Sequence, residues 1–117
     1  MERRFAEEFT KEWLESWNTH DLDRIISHYD SDLEFKSPLI VERYSDPTGT
    51  ITSRERLREY FGIGLSNNPK LKFRLIDMAL GVNGLTLYYK NARGGKTAEY
   101  FEFNSQGKVI RSFSCYS

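Results

Sequence analysis

Aromatic positions recur every four residues at the start of the chain, where Phe5, Phe9, Trp13 and Trp17 form one line with Ala6 and Leu14 beside it. That period places them on one helix face, so the spacing predicts an amphipathic helix over roughly residues 3 to 17. Asn18, Thr19 and His20 interrupt the pattern. Thr19 or Asp21 then caps a second, short helix in which Leu22, Ile25, Ile26 and Tyr29 stand at i, i+3, i+4 and i+7. Next the period drops to two: Leu33, Phe35 and Ser37 alternate with Glu34 and Lys36 until Pro38. This is a strand with one inward face, and Ser37 points the same way as Leu33 and Phe35.

Residues 39–51 carry Pro47, Gly49 and scattered polar groups and read as a loop, with a short strand around Ile40 or Ile51. Thr52 and Glu55 form a capping box for a third helix striped by Leu57, Tyr60, Phe61 and Leu65, which stops at Asn67-Asn68-Pro69. From Leu71 the pattern turns to β segments over 71–82, 85–91, 96–104 and 108–116, separated by turns at Asn83-Gly84, Arg93-Gly94-Gly95 and Gly107. Helices followed by a meander predict an α+β fold, and 117 residues without a linker or repeat predict a single domain over 1–117.

Seventeen basic side chains balance seventeen acidic ones, which argues against a nucleic-acid or anionic-membrane partner. No apolar run is long enough to span a bilayer, and no secretory leader is recognised at the start. The single Cys115 excludes an internal disulfide and a cysteine zinc cluster, and it is expected as a packed thiol in a cytoplasmic protein. Phosphate-loop, dinucleotide and nucleophile-elbow motifs are absent, so no cofactor is expected. Two histidines without matched spacing argue against a metal. His20 reads as an exposed cap-region residue and His28 as a local structural partner for a carboxylate such as Asp32, while Asp21 and Asp23 suit the first turn of the second helix.

The strings WNTHDLDRIISHYDSDLEFKSP, SRERLREYFG and FEFNSQGKV, spread over nearly the whole chain, resemble the SnoaL-like and ketosteroid-isomerase-like branch of the nuclear transport factor 2-like superfamily. The resemblance implies a cone, a strongly bent and mostly antiparallel sheet wrapped around three helices with an internal apolar pocket, commonly paired as a homodimer through the outer sheet face. It also implies where chemistry would sit. The isomerase base position falls at Ser37, the oxyanion tyrosine at Trp13, an additional tyrosine at Phe61, and the second oxyanion donor at Glu99. Only Glu99 keeps a carboxyl, so steroid isomerisation is not expected.

Turn lengths supply a trial register. A two-residue loop at Asn83-Gly84 pairs Val82 with Leu85 and Ala79 with Tyr88, and an even turn near Gly94 sets Glu99 and Phe101 on the face of Tyr88 and Lys90. A similar turn at Ser105-Gln106 adds Ile110, Ser112, Ser114 and Tyr116. The resemblance implies that the Glu99 face is the cavity side, and the alternation of the first strand adds Phe35 and Ser37 to it, so the pocket would have walls of Trp13, Trp17, Phe35, Phe61 and Phe101, with polar points at Ser37, Tyr88, Glu99, Ser112, Ser114 and Tyr116. Trp13 and Trp17 also suit ordinary core packing, and Glu99 equally suits a cross-strand ion pair with Lys90. Ile76, Met78, Leu80, Leu87, Tyr89 and Phe113 would form the outer, dimer-forming face, with Arg111 and Glu102 pairing across the axis. The expected function is binding of a small apolar organic ligand. The enzyme reading is a cofactor-independent isomerase, dehydratase or cyclase-type proton transfer on a carbonyl or ring-bearing substrate, with Glu99 as acid or base. The alternative is a non-catalytic ligand-sensing or dimerisation module.

Overall fold

The computed structural model describes all 117 residues. Helix α1 spans Arg3–Asn18 and buries Ala6, Phe9, Trp13 and Trp17, the predicted stripe. It ends where Thr19 Oγ1 donates to the Glu15 carbonyl at 2.8 Å and His20 takes a left-handed φ of 59°. Asp21 caps α2, Leu22–Ile26, by accepting from the Arg24 N–H at 3.2 Å. Tyr29 does not extend that helix; it opens strand β1, Tyr29–Lys36, as a residue only 2% exposed.

The segment expected as loop begins with a helix. Ser37 accepts from the Leu39 N–H at 3.2 Å and Pro38 occupies the first turn of α3, Pro38–Tyr44. With only Ile40 buried among seven residues, α3 carries no periodic stripe to reveal it. Strand β2 is the two-residue Thr50–Ile51, and α4 runs Arg54–Asn67. Its cap is Ser53, which accepts from the Arg56 N–H at 3.2 Å, one residue later than the Thr52 capping box. The helices therefore number four rather than three.

Strands β3 (Arg74–Leu80), β4 (Gly84–Lys90), β5 (Lys96–Phe103) and β6 (Val109–Tyr116) complete a six-stranded mixed sheet of order β2-β1-β6-β5-β4-β3. Only β1 and β6 run parallel; the other neighbours are antiparallel. The expected α+β class holds, but the register corrects the assignment of faces. The first hairpin loop is Val82-Asn83, closed by the Gly81 N–H donating to the Gly84 carbonyl at 2.8 Å, so Leu80 pairs with Leu85 and Ala79 with Thr86. A bulge between Leu75 and Asp77 then breaks the alternation along β3. The second turn, Asn91–Gly95, has an odd length, with Lys90 opposite Lys96. Asn91 Oδ1 accepts from the N–H groups of Arg93 and Gly95, and Gly94 takes a φ of 83° that suits glycine. One residue of parity moves Glu99 opposite Leu87 and Phe101 opposite Leu85.

The inner face accordingly holds Leu85, Leu87, Tyr89, Glu99, Phe101, Ser112 and Ser114, all buried. Tyr88 and Lys90 are exposed on the other side, so the proposed ion pair of Glu99 with Lys90 is absent. Leu87 and Tyr89, expected outside, are 0% and 3% exposed, and Met78 and Leu80, expected there too, lie opposite Leu87 and Leu85 and pack half-buried against the core. A second bulge, between Glu102 and Phe103, sets Val109 opposite Phe103 in the core, where Ile110 had been expected. Arg111 pairs with Glu102 of the same chain at 2.5 Å.

Trp13 stands at the middle of the core, its ring 5.1 Å from Phe101, 5.5 Å from Tyr89 and 5.8 Å from Phe73. Each such pair adds about 0.5–1.5 kcal/mol beyond area burial. The backbone closes tightly beside this cluster: a Cβ on Gly84 would lie 2.3 Å from the Phe101 carbonyl oxygen.

Candidate ligand cavity

Between α1, α4 and the inner sheet face lies a cavity of about 460 Å³. Trp13 and Trp17 come from α1, Phe61 from α4, and Phe35 from β1, where alternation turns it inward; Phe73 closes another wall. Glu99 reaches the cavity from the middle of β5. Its two oxygens are held separately: Tyr89 Oη donates to Oε1 at 2.8 Å and Ser112 Oγ donates to Oε2 at 3.0 Å. Parity makes this clamp, because Leu87 and Ser114 lie directly across from Glu99 while Tyr89 and Ser112 stand at the diagonal positions on the same face.

Burial raises the Glu99 carboxyl above the ordinary glutamate range, and hydrogen bonding from Tyr89, Ser112 and Ser114 opposes that rise without cancelling it. The same burial, reinforced by the charge of Glu99, pushes the Tyr89 phenol well up, so it remains a donor at neutral pH. Burial likewise raises Tyr29, Tyr60 and Tyr116. Trp13 Nε1 donates to Tyr29 Oη at 3.2 Å and Tyr60 Oη donates to Ser37 Oγ at 3.4 Å. The interior is thus an aromatic chamber with one carboxyl and several neutral hydroxyls, suited to a largely apolar ligand with a few hydrogen-bonding atoms.

Of the residues singled out in the sequence, Trp13, Trp17, Phe35, Phe61, Glu99, Ser114 and Tyr116 line the cavity. Ser112 stands behind as a partner of Glu99, Phe101 lies under Trp13, and Ser37 is occupied in capping α3. Tyr88 is the exception: it lies on the outer face, 36% exposed, with Lys96 Nζ 6.0 Å from its ring centre. Sequence reading missed Tyr89, Tyr60, Tyr29 and Phe73, along with Arg43 and Arg93 at the cavity edge. The alternation of β4 contains the signal for Tyr89, which an odd turn at Asn91–Gly95 would have exposed. His20 Nε2 lies 2.9 Å from the Leu71 carbonyl. His28 neighbours Glu12 at 3.6 Å instead of Asp32, and its burial lowers its pKa. Cys115 is exposed and not packed.

The model of the SnoaL-like domain family matches residues 10–111. The chain belongs to the SnoaL-like family. A SnoaL-like protein of unknown function from Burkholderia thailandensis is 34% identical over 99% of this chain and 97% of that one, with a TM-score of 0.96. A candidate isomerase of the SnoaL-like family from Agrobacterium tumefaciens is 11% identical, covering 97% of this chain and 98% of that one, with a TM-score of 0.76. AclR, a candidate hydroxylase from Streptomyces galilaeus, is 18% identical over 95% of this chain and 74% of that one, with a TM-score of 0.71. These two share the fold, a cone of the nuclear transport factor 2-like kind. No curated protein matches the sequence. No helix of this SnoaL-like chain is long and apolar enough to cross a membrane.

Proposed function

We propose that this SnoaL-like protein binds a small, ring- or carbonyl-bearing organic molecule in its cavity and transfers a proton to or from it through Glu99. The observation that carries this reading is a buried carboxyl, raised by desolvation, that reaches a cavity of about 460 Å³ with aromatic walls. A raised carboxyl exchanges its proton nearer to neutral pH, the condition for general acid–base work. The Tyr89 phenol can hold the carboxylate after it gives up its proton, and Tyr116, which also lines the cavity, offers a hydroxyl to donate to a developing oxyanion. No cofactor enters the scheme. Pairing with a second copy through the outer sheet face would use Tyr88, Tyr100 and Phe113 in place of Met78, Leu80, Leu87 and Tyr89.

Ser37 favours the second reading, a binding module without chemistry: at the isomerase base position it is a 3%-exposed helix cap, unable to take a proton unaided. One experiment separates the two. β-Tetralone, an apolar ring ketone, is incubated with the protein in deuterated water and α-proton exchange is followed by NMR. Glu99-dependent proton transfer predicts acceleration that falls by about 10²- to 10⁴-fold in Glu99→Gln, which preserves side-chain shape. Binding of the ketone with no acceleration would remove the catalytic reading and leave the module.

A further inference from the structure

The opening of the cavity is chemically unlike its interior. Its exposed lining residues include Arg43 from α3 and Arg93 from the turn after β4, two cationic residues brought to the opening by separate elements. Neither has a carboxylate within 4.0 Å, whereas Arg4, Arg24, Arg58 and Arg111 are all ion-paired. Other arginines of the chain are also unpaired, but none of them lines the cavity. Both residues are held in place by local structure. The Arg43 guanidinium carbon lies 5.3 Å from the centre of the Tyr60 ring, and the backbone of Arg93 is fixed by Asn91 Oδ1 at 2.9 Å. Glu42 is the one acidic residue at the edge, so the opening is net positive.

We infer that the cavity is built for an amphipathic organic acid, whose apolar ring enters the aromatic chamber while its carboxylate or other anionic group stays at the edge between Arg43 and Arg93. An anion carried deeper would lose its hydration among aromatic rings and approach the carboxyl of Glu99 with no interior cation to offset it. At the edge it keeps part of its water and gains charge-assisted hydrogen bonds, which guanidinium groups form bidentately with carboxylates and sulfonates. The inference rests on the cavity being the ligand site and adds the class and orientation of the ligand.

Paired fluorescent probes test it. Anilinonaphthalene sulfonate and the uncharged N-phenylnaphthylamine differ by one anionic group, and each is titrated into the parent protein, the Arg43→Gln/Arg93→Gln double variant, and Gly64→Phe. Gly64 lines the cavity and a Cβ there meets no atom within 4 Å, so a phenylalanine enters open space. The expected result is a roughly tenfold weaker affinity of the sulfonate for the double variant. The uncharged probe should be unchanged by the double variant, and both probes weakened by Gly64→Phe. An equal effect of the double variant on the two probes, or none on the sulfonate, overturns the inference while the cavity reading stands. Failure of either probe to respond to Gly64→Phe, or to bind at all, overturns both.

Discussion

Replacing Tyr89 by phenylalanine removes one oxygen and keeps the ring that packs 4.7 Å from Phe73 and 5.5 Å from Trp13. What is lost is the hydrogen bond to Glu99 Oε1 at 2.8 Å, between two buried groups. A hydrogen bond to a charged partner contributes about 1.5–3 kcal/mol, and one between neutral groups about 0.5–1.5 kcal/mol. The cost of Tyr89→Phe should therefore depend on whether Glu99 is ionised. Because burial raises the Glu99 pKa, the folded state holds this proton more tightly than the unfolded chain does. Its contribution to stability is full below the ordinary glutamate value of about 4.3 and is lost as pH rises through the folded value. Removing a donor that favours the charged form raises the folded value further and deepens that loss. Urea denaturation of parent and variant at pH 4 and pH 8 should give a larger penalty at pH 8, by about 1–1.5 kcal/mol. An equal penalty at the two pH values, or a larger one at pH 4, would refute the assignment of Glu99 as a raised, Tyr89-clamped acid.

Two further substitutions test the register. Leu87→Lys places an ammonium at a position that is 0% exposed across from Glu99, so it should unfold or destabilise the monomer by about 3–5 kcal/mol in thermal denaturation; a folded protein changed only in mass by ultracentrifugation would return Leu87 to the outer face. Gly84→Ala forces a Cβ against the Phe101 carbonyl oxygen and should cost about 1–3 kcal/mol by urea denaturation, whereas a neutral outcome would deny the close approach of β4 and β5 there.

Local periodicity was enough for α1, because an isolated stripe of Phe5, Phe9, Trp13 and Trp17 has one low-energy way to bury itself. It was also enough for the α+β order and for putting Ser112 and Ser114 on one face of β6, since alternation within a strand needs no knowledge of its neighbours; joining that face to Glu99 of β5 depends on the turn between the two strands. Family resemblance placed Glu99 in the cavity, and the geometry agrees. Helix α3 escaped because seven residues with one buried side chain hold too little pattern, and its stability comes from a cap and from packing made elsewhere in the fold. The partner of Glu99 escaped for a different reason. Tyr88 and Tyr89 are chemically alike and adjacent, and which of them faces inward depends on one extra residue in the Asn91–Gly95 turn. The five-residue length of this turn is held by Asn91 Oδ1, which accepts from the N–H groups of Arg93 and Gly95, together with the pairing of Lys90 opposite Lys96. Strand side chains repeat every two residues, so a single residue in a turn exchanges the inner face for the outer one. Composition and periodicity are blind to that exchange, and the burial of Leu87 and Tyr89 against α1 decides it.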